Sequence, residues 1–114
     1  MDKQSRRQVV RDYKDRKVPL GIFAVRCAVT GEVWVGASRN LDQQRNSIWF
    51  ALRQGGHPNL ALRAAWAAHG EAAFAFDVLE TAPDEAMTIL ARDSFLKTRH
   101  LHWRETLDAP KIVG

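Results

Sequence analysis

The chain has 114 residues, 46% apolar and 26% charged, which suits one domain with a buried core and is too short for two. The net charge is +4. No apolar run is long enough to cross a bilayer and the N-terminus reads as carrying no charged-then-apolar signal segment, so a membrane-spanning protein is excluded and a cytoplasmic location is expected. Cys27 stands alone, which excludes an intramolecular disulfide and makes it a small buried hydrophobe.

The excess charge lies at the start. Residues 1–17 carry Lys3, Arg6, Arg7, Arg11, Lys14, Arg16 and Lys17 against Asp2, Asp12 and Asp15, and the rest of the chain is neutral. The spacing predicts a basic helix over 3–17, stopped by Pro19, with Lys3, Arg7, Arg11 and Lys14 on one face. Such a stripe can track phosphates. The competing reading is a solvated face beside Val9, Val10 and Tyr13, which dock on the core.

Residues 20–28 and 32–37 are β-rich runs around Thr30-Gly31, a hairpin signal. A two-residue turn there pairs Phe23 with Ser38 and Trp34 with Cys27, so both aromatics face one side of the sheet. Any even-length turn keeps that result. Asn40 or Ser38 caps a helix over about 41–53 that ends at Gly55-Gly56, and Pro58-Asn59 opens a second helix closed by Gly70. Phe74 to Leu79 alternates as a third strand. Pro83-Asp84-Glu85 opens a long helix to about Leu107, its acids favouring the positive end of the helix dipole. The predicted order is α-β-β-α-α-β-α, an α/β (α+β) domain with a three-stranded sheet flanked by helices. Within a single domain of 1–114, residues 1–18 form the basic helix, 20–97 the core, and 98–114 the end of the last helix and a tail.

The words Gly21-Ile22-Phe23 and Trp34-Val35-Gly36 resemble those that name the GIY-YIG nuclease superfamily. Further segments follow in the same order: Ser38-Arg39-Asn40-Leu41, Gly56-His57-Pro58-Asn59, Leu62 with Ala65-Trp66, His69-Gly70-Glu71, Phe74-Ala75-Phe76, Leu79-Glu80, and Arg92-Asp93-Ser94-Phe95. Each is weak alone; together they cover about residues 20–97. The resemblance implies a nuclease fold in which a sheet tyrosine assists an attacking water, a helix arginine steadies the phosphate, and an acidic residue on the last helix binds one divalent metal, usually magnesium.

Carried onto this chain, that machinery is thinned. Phe23 and Trp34 hold the tyrosine positions; the first has no proton to exchange and the second only donates. Gln44 holds the arginine position, and Ile48 that of a helix histidine or tyrosine one turn later. Asp93 holds the metal position as aspartate, about 1.5 Å shorter in reach than glutamate, and its competing reading is a solvated or salt-bridged carboxylate. His57 stands where some relatives carry a histidine; otherwise it caps or packs before Pro58. His100 and His102 sit on nearly opposite helix faces and cannot jointly chelate a metal.

Two functions remain. One is a nucleic-acid-binding domain, for DNA above all, with weakened or lost endonuclease activity. Arg39, Arg45 and Arg53 with Lys3, Arg7, Arg11 and Lys14 then hold phosphates, and a protein partner is the variant of this reading. The other is an active magnesium-dependent DNA endonuclease using His57 as base and Asp93 on the metal. A cleft lined by Phe23, Trp34, Gln44, His57 and Asp93 favours a surviving site; Phe23, Trp34 and Ile48 filling it favours a core. Trp66, and Trp103 with Leu107, read as packing residues. Trp49, one turn after Arg45, stacks with that arginine or under a base.

Overall fold

A computed structural model of the chain describes residues 19–82 and 88–113. The basic helix predicted over 3–17, with Lys3, Arg7, Arg11 and Lys14, lies outside the described residues, as do Pro83, Asp84 and Glu85. The described elements are strands β1 (Gly21–Cys27) and β2 (Val33–Ser38), helices α1 (Leu41–Gln54) and α2 (Leu60–His69), a short 3-10 turn at Glu71–Ala73, strand β3 (Phe74–Thr81) and helix α3 (Ile89–Leu107). Among these residues no helix is long and apolar enough to cross a membrane.

The sheet is antiparallel in the order β2-β1-β3. Its central strand reads Gly-Ile-Phe-Ala-Val-Arg-Cys, a nearly unbroken apolar run, because both of its faces are covered. Phe23, Val25 and Cys27 point with Trp34 toward Leu41, Ile48, Trp49 and Leu52 of α1 and Leu62 and Ala65 of α2. Ile22 and Ala24 point with Val35 to the other side, where Leu96 of α3 meets them. Phe23 and Trp34 therefore share a face, as expected.

The register differs from the two-residue-turn expectation. Phe23 pairs with Gly36 and Val25 with Trp34. The connection is a four-residue loop, Ala28 to Gly31, closed by Cys27 N–H donating to Glu32 O at 2.9 Å and Gly31 N–H donating to Cys27 O at 2.8 Å. Gly31 supplies the positive φ of 79° that this loop needs. A loop two residues longer slides every pair by two and leaves the face assignment intact.

Aromatic rings fasten α1 and α2 to the sheet. Trp49 packs edge-on to Trp66 at 5.5 Å, and Phe76 of β3 stacks on Phe23 at 5.0 Å. Such pairs contribute about 0.5–1.5 kcal/mol each beyond the area they bury. On the opposite face, Trp103 donates its indole N–H to Glu80 Oε1 at 2.8 Å, and Arg99 donates to the same oxygen at 2.7 Å.

Helix starts follow their caps. Asn40 Oδ1 accepts from Gln43 N–H and Asn59 Oδ1 from Leu62 N–H. The last helix departs from expectation. It opens at Ile89, where Thr88 accepts from Ala91 N–H, and no acid lies in its first turn. Its end turns back into the sheet. Asp108 caps it in the left-handed region, and Lys111 then bridges in parallel to Val35 on the outer edge of β2. Val35 N–H donates to Pro110 O at 3.0 Å and Ile112 N–H donates to Val35 O at 2.9 Å.

Candidate functional site

Where α1 leans over the edge of β2, a cleft of about 320 Å³ opens, lined by Phe23, Gly36, Ala37, Gln44, Ser47, Ile48, His57, His100, Ile112 and Val113. Three residues singled out from the sequence meet here: Phe23 from β1, Gln44 from α1, and His57 from the loop before α2. Ile48, one turn beyond Gln44, lies beside it as helical spacing requires. Two expected members are elsewhere. Trp34 is 2% exposed and belongs to the core under α1 and α2, and it does not line this cleft. Asp93 does not line it either.

Glycine positions in both sequence words have steric causes. A Cβ on Gly36 would lie 2.3 Å from Phe23 Cζ, and one on Gly21 would lie 1.9 Å from the Glu80 carbonyl oxygen. The second contact falls beside the irregularity in β1–β3 pairing at Ile22 and Phe23. Both glycines are required by close packing of sheet and ring.

His57 is 3% exposed and its Nδ1 accepts from Asn59 N–H at 3.0 Å. That bond occupies the Nδ1 lone pair and leaves the proton of the neutral ring on Nε2. Burial, reinforced by the nearby charge of Arg63, pushes its pKa down from the ordinary value near 6.5. So placed, His57 offers a donor. A general base needs a free lone pair, and the expected role as base does not fit this arrangement.

Asp93 lies on α3 with its carboxylate ion-paired to Arg39, and both side chains are substantially exposed. Among the described residues no group of three or more His, Cys, Asp or Glu side chains gathers to hold a metal. Magnesium keeps most of its waters and binds through one or two carboxylates; here the one family-position carboxylate is engaged by the Arg39 guanidinium, which would have to leave before an ion could bind.

The expected phosphate contacts are also rearranged. Arg39 is held by Asp93, and Arg53 by Glu71 through two hydrogen bonds of 2.9 and 2.8 Å. For either to grip a phosphate it must first exchange an internal partner. Arg45 lies over the Trp49 ring at 5.2 Å. Trp49 itself is 3% exposed, so it stacks beneath Arg45 and offers no open face to a base.

His100, set aside in the sequence because it cannot chelate together with His102, is one cleft residue that sequence reasoning missed. Its Nε2 lies 3.0 Å from Val35 O. A carbonyl only accepts, so Nε2 carries the proton. Burial lowers its pKa, the Val35 bond raises it, and Arg104 and Lys111 lower it further. Ile112 and Val113 were missed too. Their place is set by pairing with Val35 and by Asn59, whose Nδ2 donates to Ile112 O at 2.9 Å. No local pattern announces contacts that span more than fifty residues.

This arrangement, a three-stranded antiparallel sheet with two helices on one face and the last helix on the other, is a GIY-YIG-like fold. It is similar to the catalytic domain of homing endonuclease I-TevI, with a TM-score of 0.65 and 21% identity over 78% of this chain and 88% of that one. A point variant of the catalytic domain of intron endonuclease I-TevI gives a TM-score of 0.66 and 21% identity over 79% of this chain and 84% of that one. At this identity the likeness is one of fold. No family model and no curated protein matches the sequence.

Proposed function

We propose that this nuclease-like domain binds nucleic acid, DNA above all, and has lost the endonuclease chemistry of its fold. One observation carries the reading: the cleft persists, yet the family positions that line it are neutral or already engaged, and the metal position lies outside it. Phe23 has no phenol, Gln44 no charge, His57 gives its lone pair to Asn59 N–H, and Asp93 faces Arg39. Each general acid or base is worth about 10²–10⁴-fold, and losing several leaves little cleavage. Binding needs only cations and a complementary surface. The positive charge concentrated in residues 1–17 supports it, as does the likeness of fold to an endonuclease catalytic domain.

The test has two parts. Supercoiled plasmid incubated with the protein and magnesium is expected to stay intact; robust nicking that vanishes in Asp93→Ala overturns the loss of activity. Affinity for a short DNA duplex is expected to fall steeply with salt and to weaken on the double charge reversal Arg7→Glu with Arg11→Glu. No binding at low salt transfers the reading to a protein partner.

A further inference from the structure

The pairing of β1 with β2 decides which backbone groups of β2 face outward. Cys27 N–H donates to Glu32 O, so Glu32, Trp34, Gly36 and Ser38 turn their N–H and C=O groups toward β1. Val33, Val35 and Ala37 turn theirs away. At Val35 both groups are taken, by Pro110 and Ile112. The ladder stops there. The Ile112 carbonyl, which the next rung would bring to Ala37 N–H, accepts from Asn59 Nδ2 instead. Ala37 is exposed, and among the described residues neither its N–H nor its C=O has a partner. It lines the cleft.

His57 adds a donor from the loop before α2. Its Nδ1 is occupied by Asn59 N–H, and its Nε2–H meets no acceptor among the described residues. Nor is Nε2 sealed from solvent: the one enclosed side-chain nitrogen or oxygen left without a partner among these residues is Arg104 Nε. The 3% of His57 that stays exposed therefore includes Nε2, and it opens on the cleft that the ring lines. That cleft carries no formal charge. Among the described residues that line it none is Lys, Arg, Asp or Glu, and burial holds His57 and His100 below their ordinary pKa, so both are neutral at neutral pH. A phosphate placed there would give up its water and meet no cation.

We propose that this cleft receives an unpaired nucleobase, its edge read by the Ala37 N–H and C=O, with the His57 Nε2–H as a further donor. Each of the four bases is uncharged and carries a donor beside an acceptor on its Watson–Crick edge, which matches the outward pair of one strand residue. A cleft of about 320 Å³ is of small-molecule size. An added peptide strand fits less well, because it needs successive outward pairs and the pair at Val35 is occupied. Gln44, neutral where the resemblance places an arginine, then suits a base where it cannot serve a phosphate. That the base belongs to a nucleic-acid strand rests on the function proposed above; recognition of the base itself does not.

Uncharged probes test this, read at the Ala37 N–H and the His57 ring in nitrogen-15 spectra of the whole chain. Thymidine and adenosine are expected to shift both signals saturably, and equally at low and high salt, as neutral ligands do. N3-methylthymidine, whose edge donor is blocked, should bind about tenfold more weakly than thymidine. Ala37→Pro, read at His57, should weaken thymidine by a similar factor, since an edge strand tolerates proline where the N–H faces outward. The methylated probe keeps the test informative if that variant unfolds. Nucleosides that leave both signals unmoved, or N3-methylthymidine binding as well as thymidine, overturn the base site. Saturable shifts with inorganic phosphate alone overturn the base in favour of an anion. A short single strand separates the site from the wider function. If nucleosides bind and the strand does not, the base site stands and nucleic-acid binding falls. If the strand binds and leaves both signals unmoved, nucleic-acid binding stands and the base site falls. An uncharged, end-blocked tripeptide that shifts Ala37 as strongly as thymidine overturns the base in favour of a peptide strand.

Discussion

The ring of Phe23 occupies the space in which a side chain at position 36 would begin: a Cβ there would come within 2.3 Å of its Cζ and 2.7 Å of Ile112 Cγ2. Neither obstacle is a loose chain end, since both side chains are buried. Gly36→Ala is therefore expected to cost about 1–3 kcal/mol by overpacking, seen as a lower midpoint in thermal or urea unfolding. Gly56→Ala, where no atom lies within 4 Å of the new methyl, is the control and should stay close to the parent. Equal losses at both positions would show that packing against Phe23 is not the cause.

The same contact bears on restoring the phenol. A hydroxyl added in Phe23→Tyr extends from Cζ toward Gly36 and Ile112. The variant is expected to be less stable than the parent and to leave plasmid intact with magnesium, because Gln44 still brings no charge to the phosphate. Nicking by this single variant would mean that the missing phenol was the sole defect.

How far the chain could be read turns on where each signal originates. The caps Asn40 and Asn59, Gly55 after α1 and the alternation of β3 are local, and local rules placed those elements closely. The shared face of Phe23 and Trp34 needed only the parity of the loop, so it survived a slip of two residues in register. Pro83-Asp84-Glu85 is a good helix-opening pattern, but Thr88 provides the cap and the helix begins at Ile89. In the cleft, residue identities revealed which groups were missing. They did not reveal that His57 turns its lone pair to Asn59 N–H, that Asp93 meets Arg39, or that His100 enters from a helix packed on the other face. The last two are tertiary facts between residues 54 and 65 positions apart; the His57 contact is local, two residues long, and is the capping reading of that histidine.

Acid should loosen this fold through its histidines. His57 and His100 both have folded pKa values pushed below 6.5. As pH falls through 6.5 the unfolded chain takes up protons that the folded chain resists, so stability drops. Glu71 and Glu80 act later. The Arg53 hydrogen bond holds the Glu71 carboxyl low; at Glu80 burial pushes upward, but hydrogen bonds from Arg99 and Trp103 outweigh it. Their contributions disappear only below the ordinary carboxylate range. Unfolding midpoints measured between about pH 7.5 and about pH 5 should fall with acid, and the double variant His57→Gln with His100→Gln should flatten the profile. An unchanged slope in that variant would assign the effect to other groups.

Asn59 does two jobs with one side chain. Its Oδ1 caps α2 at Leu62 N–H, 2.9 Å away, and its Nδ2 holds the Ile112 carbonyl. Asn59→Ala removes both and should cost about 1–3 kcal/mol. Asn59→Asp keeps the cap but turns the donor into an anion facing a carbonyl. It should specifically free residues 110–113, raising amide exchange at Ile112 while α2 stays protected. Loss of protection along α2 as well would show that the two jobs cannot be separated.

Arg39→Ala frees the Asp93 carboxylate. The parent is expected to show no rise in unfolding midpoint with millimolar magnesium, and Arg39→Ala a small one. Asp93→Ala should cost less than about 1 kcal/mol, as exposed ion pairs do. Clear magnesium stabilisation of the parent would mean that the ion displaces Arg39 and that the metal position is intact.

Val35 belongs to an outer strand, and an outer strand presents bare amides and carbonyls to which another chain can add itself. Pro110 and Ile112 take up both of its groups. The segment that narrows the cleft thus also guards a flank of the sheet against strand addition. Loosening it, through Asn59 or through Ile112, would open a binding groove and an aggregation-prone edge together. Selection on the cleft at this end of the sheet is therefore tied to solubility.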